Sequence, residues 1–99
     1  MRVEVADLVK LGPLPASTAA VEEIAKHEKA LGRIQPPVTD EEADALLRLF
    51  GPDDCYGLAW SLVHLIESAP HWPHKDALKA EGNEWTRRLR AAAERAGKL

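Results

Sequence analysis

The stretch DDCYGLAWSLVHLIESAP, residues 53–70, decides the fold. Leu58, Leu62, Leu65 and Ile66 recur at helical spacing, and Tyr56, Trp60 and Val63 form a second apolar row beside them. That spacing predicts a helix that is apolar around most of its circumference. Asp53 or Asp54 is placed to cap its start, and Pro70 forces an end near Ser68. Such a helix is expected to be surrounded by its neighbours and to serve as the axis of the fold. It holds His64 and Glu67 and falls short of the roughly 20 apolar residues that a membrane-spanning helix requires, so no membrane association is expected.

Working upstream, Thr39-Asp40-Glu41-Glu42 is a capping box, in which the Thr39 hydroxyl accepts from the Glu42 amide and the Glu42 carboxylate accepts from the Thr39 amide. Acidic side chains in that first turn also suit the positive end of the helix dipole. A helix over residues 40–50 follows, with Ala43, Leu46, Leu47 and Phe50 inward and Gly51-Pro52 as the stop. Residues 17–31 predict an amphipathic helix with Ala20, Val21, Ile24, Ala25 and Leu31 on one stripe, and Gly32 and Gln35-Pro36-Pro37 end it. A short helix is expected over residues 5–11, closed by Gly12-Pro13. Working downstream, Pro70-His71-Trp72-Pro73-His74 is a proline-stiffened turn, residues 75–80 suit one or two helical turns, and Asn83 caps a last helix to residue 96. No pair of segments carries the period-two alternation of a sheet. The expectation is one all-α domain spanning residues 1–99, a compact bundle of four main helices plus one or two short ones.

A chain of 99 residues buries on the order of 65% of its unfolded surface, enough for one core without a disulfide or metal staple. The single Cys55 cannot form an internal disulfide, and residues 1–15 lack the apolar run of a signal peptide. A reducing cytoplasm is the expected compartment. The net charge of −3 argues against a general nucleic-acid binder. Its distribution is uneven: residues 1–54 carry eleven acidic and six basic side chains, residues 55–99 five acidic and seven basic.

Few residue sets suit chemistry. Gly57, Ser61, His64 and Ser68 lie on one line of the central helix. That strip is either a tight helix crossing with His64 hydrogen-bonded inside it or a ligand-facing groove, and a covering helix would decide between them. Ser61 and His64 resemble a nucleophile and base only in spacing, because a mid-helix serine has no backbone oxyanion hole beside it. Cys55, His64, His71 and His74 lack the close cysteine pair of a structural zinc site, so no metal or other cofactor is expected. Cys55 reads as a small buried apolar residue, since Asp53 and Asp54 oppose a thiolate. Arg87, Arg88, Arg90 and Arg95 give the last helix a basic face without the interleaved aromatics that base stacking uses.

The stretch from Gly51 to Pro73, with Pro36 to Glu42 before it, resembles a family of short bacterial proteins of unassigned function. The resemblance covers about a third of the chain and includes no catalytic motif. In size, acidity and lack of chemistry the chain also resembles the immunity proteins that neutralise polymorphic bacterial toxins. These resemblances imply a non-enzymatic protein-binding module, an immunity-type inhibitor in particular. The alternative is a small regulatory protein that binds nucleic acid or a polymerase through its Arg-rich last helix. The expected contact residues are Asp40, Glu41, Asp44 and Asp53, as an acidic approach to a basic partner, and His71, Trp72 and His74, as a stiff turn carrying an aromatic anchor.

Overall fold

The Thr39 capping box forms: the Thr39 hydroxyl accepts from the Glu42 amide at 3.1 Å, and the Thr39 amide donates to the Glu42 carboxylate at 2.9 Å. The structure, a computed structural model, describes residues 1–73 and 84–97. The expected turns over 75–80, the Asn83 cap and His74 lie outside these residues. The helix begun at Thr39, α3 (Asp40–Leu46), tightens into a 3-10 turn over Leu47–Leu49, and Phe50 is extended. The expected helix over 40–50 is thus shorter. Leu49 offers its carbonyl to the Leu14 amide, 2.8 Å away, so the last turn is tied to a distant segment.

Three other helices precede or follow it, and a fifth closes the described chain. Helix α1 (Val3–Leu11) buries Val5 and Leu8. Helix α2 (Val21–Gly32) begins four residues later than expected, because Ser17 bonds to Asp53 instead of capping a helix. Its inward stripe also differs from the expectation. Ala20, Val21 and Ala25 are exposed, and the buried row runs through Ile24, His27 and Leu31. Helix α4 (Leu58–Glu67) is the central helix, and α5 (Glu84–Arg95) is the last.

Helix α4 does not start at Asp53 or Asp54. Cys55, Tyr56 and Gly57 all adopt left-handed backbone geometry, with φ of 46°, 54° and 90°. For the two non-glycine residues this costs on the order of 1–2 kcal/mol each. The Asp53 carboxylate offsets part of it by accepting from the Cys55 amide at 2.8 Å and from Ser17. Gly57, which adopts this geometry without steric cost, is the N-cap.

Helix α1 packs on α2 and α3, and α4 packs on the same two helices. Helix α5 joins through aromatic rings: Trp85 stacks on Phe50 with centroids 5.7 Å apart and meets Trp60 edge-on at 4.9 Å. No strand occurs among the described residues, and the radius of gyration of 12.9 Å is that of a compact chain of this length. The core holds Leu8, Leu46, Leu62 and Ile66 with almost no exposed surface. The expectation that neighbours surround α4 fails on one side, since Trp60 is 45% exposed, and Ser61 and His64 face outward. Leu62→Ala is therefore expected to cost about 2–5 kcal/mol, and Trp60→Ala clearly less. Urea melts check both: a Leu62→Ala midpoint within experimental error of the wild type would contradict this packing.

Candidate interaction surface

Helix α3 starts beside the turn that leaves α4. Asp40 sits in the first turn of α3, where its carboxylate suits the helix dipole. It accepts from the His71 amide at 3.1 Å, and its other oxygen lies 2.6 Å from the His71 ring Nδ1. Both side chains are partly or largely exposed, so the pair adds little stability and mainly fixes the orientation of the turn. Two segments that the sequence offers as separate candidates, 31 positions apart, thereby share one surface. Glu41 and Asp44 are exposed on α3. Trp72 is half-buried, with part of its ring packed on the core, so it is a positioned rim residue more than a projecting anchor.

Asp53 is committed elsewhere. Its carboxylate accepts from the Ser17 amide and hydroxyl and from the Cys55 amide. These amides, Ser17 first, hold its carboxyl below the ordinary value. It acts as a bracket between the residue-17 and residue-55 loops. Cys55 is fully buried, and burial, with Asp53 and Asp54 adding to it, pushes its thiol up.

The Gly57-Ser61-His64 strip is open. Among the described residues no helix covers it, and it lines a groove of about 530 Å³ with the buried Leu31 and Ile34 on the floor and the exposed Glu28 and Tyr56 at the rim. Ser68, the fourth member, turns away: its hydroxyl accepts from the Val38 amide at 3.0 Å and donates to the Leu65 carbonyl. The tight-crossing reading is thus corrected in favour of an open groove. Tyr56 is 75% exposed, and its hydroxyl donates to the Ser17 carbonyl at 3.0 Å, so the strained turn holds its ring at the groove mouth. Among the described residues no group of His, Cys, Asp and Glu side chains is close enough together to hold a metal ion, and no helix is long and apolar enough to cross a membrane.

Two polar residues escaped the sequence reading. His27 is buried, with its Nδ1 3.0 Å from the Glu23 carbonyl and its Nε2 lacking a hydrogen-bond partner among the described residues. Its signal was the three- and four-residue spacing from Ile24 and to Leu31, which a count of apolar residues passes over. Arg2 reaches across the molecule to the buried Glu42 carboxylate, at 3.1 Å from Nε and 3.2 Å from Nη2, and also donates to the Gln35 carbonyl. No local pattern marks that pair. No protein-family model matches the chain, and no curated protein or solved structure matches it.

Proposed function

We propose that this chain is a non-enzymatic protein-binding module, an immunity-type inhibitor of a bacterial toxin, and that it meets a basic partner through the start of α3 and the turn after α4. The observation that carries the reading is the pairing of Asp40 with His71. It joins a carboxylate-rich helix start to an aromatic rim in one continuous surface. Thr39 and Glu42 already complete the cap of α3, so Asp40, Glu41 and Asp44 supply more negative charge than the helix start needs. A charged approach speeds encounter, and a pre-positioned aromatic slows departure.

The test is binding kinetics against the product of the reading frame adjacent to this chain's gene, where a toxin would be encoded. Asp40→Lys combined with Glu41→Lys is expected to lower the on-rate by about 10-fold at low salt and to flatten its salt dependence. Trp72→Ala is expected to act mainly on the off-rate. If both variants keep the circular dichroism of the wild type and bind as it does, this surface is not the interface and the reading falls.

A further inference from the structure

A second groove, of about 390 Å³, runs between α4 and α5. One wall carries Trp60, Val63, His64 and Glu67; the other carries Arg88, Ala91, Ala92 and Arg95. Each set has the spacing i, i+3, i+4, i+7, the row with which a helix meets another helix, and seven residues of helix span about 10 Å. The two rows meet at one end, where the Arg88 guanidinium lies over the Trp60 ring, and line one groove beyond it. Val63 is buried at the base, and the short side chains of Ala91 and Ala92 are half-buried and leave room above it. Trp60 gives an exposed aromatic wall at one end.

The charges select the occupant. The α5 wall presents two guanidinium groups two turns apart, whereas the α4 wall offers one carboxylate, Glu67, and the His64 ring. Arg88 is already held in place: its guanidinium carbon lies 4.8 Å from the Trp85 ring centroid and 5.9 Å from that of Trp60, and Nη2 donates to Glu84 at 2.9 Å. A guanidinium has five N–H donors, so Glu84 leaves most of them for another acceptor, and a fixed side chain loses little entropy on binding.

We infer that this groove docks one amphipathic helix of a partner protein, whose apolar row is bracketed by carboxylates two turns apart that pair with Arg88 and Arg95. The apolar row lies over Val63, Ala91 and Ala92, as in other helix-in-groove contacts. The inference uses none of the side chains of the Asp40–Trp72 surface and stands or falls separately from it.

The test titrates the full chain with a synthetic amphipathic helical peptide carrying two glutamates two turns apart around a pair of leucines, and with its lysine-for-glutamate twin. Tryptophan fluorescence and calorimetry read the binding. The glutamate peptide is expected to bind at least ~10-fold more tightly than the lysine twin. Arg95→Glu, on the exposed last turn of α5, is expected to erase most of that preference, and Ala92→Phe, which fills the groove from the α5 wall, to abolish binding of both without loss of helicity. Equal binding of the twins, no binding of either, or a preference untouched by Arg95→Glu overturns the inference. So does a wild-type dimer that Trp60→Asp disperses, because a second copy would then fill the groove.

Discussion

Replacing Glu42 with alanine is expected to destabilise the protein by about 2–4 kcal/mol, through loss of a buried acceptor and of side-chain volume, while the partly exposed Arg2 side chain can still reach water. Glu42 is completely buried. Its carboxylate accepts from the Arg2 amide and guanidinium and from the Thr39 amide, so the substitution strips three donor groups of their acceptor and opens a void in the core. Glu42→Gln, which keeps the volume and one acceptor oxygen, should cost less. The same pair governs acid behaviour. Burial pushes the Glu42 carboxyl up, but the Arg2 side chain and the Thr39 and Arg2 amides outweigh it and hold the group at about 2, against an ordinary value of 4.5. A carboxyl depressed on folding adds stability that is fully present above the unfolded value and is lost as pH falls through the folded one. Stability is therefore expected to drop by about 3 kcal/mol between about pH 4.5 and pH 2, and Glu42→Gln should remove most of that slope. Urea midpoints across this window check it; a Glu42→Gln protein with an undiminished acid slope would show that other carboxylates set the acid limit.

Gly51→Ala is the second substitution with a large expected effect, at least about 3 kcal/mol, beyond ordinary overpacking because the obstacle is backbone. A Cβ at Gly51 would fall on the Leu14 carbonyl oxygen and come within 2.9 Å of the Leu14 carbonyl carbon. Leu14 cannot yield cheaply: it is buried, and its amide is bonded to Leu49. The clash would push the residue-14 segment off the end of the 3-10 turn. By contrast, Gly32→Ala meets nothing within 4 Å and should be tolerated. A Gly51→Ala protein with a wild-type melting temperature would mean that Leu14 is not seated against residue 51.

What could be read from the sequence was what short spacing determines. The Thr39–Glu42 box, the buried row Ala43, Leu46, Leu47 and Phe50, and the burial of Leu62 and Ile66 each depend on residues within a few positions of one another. The start of α4 differs from the expectation because the apolar rows extend back to Tyr56 while the backbone reverses at Cys55, and neither Cys nor Tyr favours left-handed geometry. Gly57 was the one local hint. Asp53 does not cap α4: its carboxylate accepts from Ser17, 36 positions away, as well as from Cys55, two positions on. The Arg2–Glu42 pair spans 40 positions and leaves no mark in local patterning. The joining of Asp40 to His71 is likewise a product of tertiary packing: the sequence offered both residues as candidates but not their adjacency. Apolar content likewise did not reveal that α4 keeps an open side, because Trp60 satisfies part of its ring against Trp85 and Arg88 and leaves the rest in water.

Amide hydrogen exchange on the full chain, alone and mixed with the adjacent gene's product, tests whether the Asp40–Trp72 end is a protein-binding surface. Slowed exchange over residues 40–44 and at His71 and Trp72 is expected in the mixture, lost again in the Asp40→Lys, Glu41→Lys variant. Exchange unchanged at these positions, with or without protection elsewhere in the chain, would contradict it.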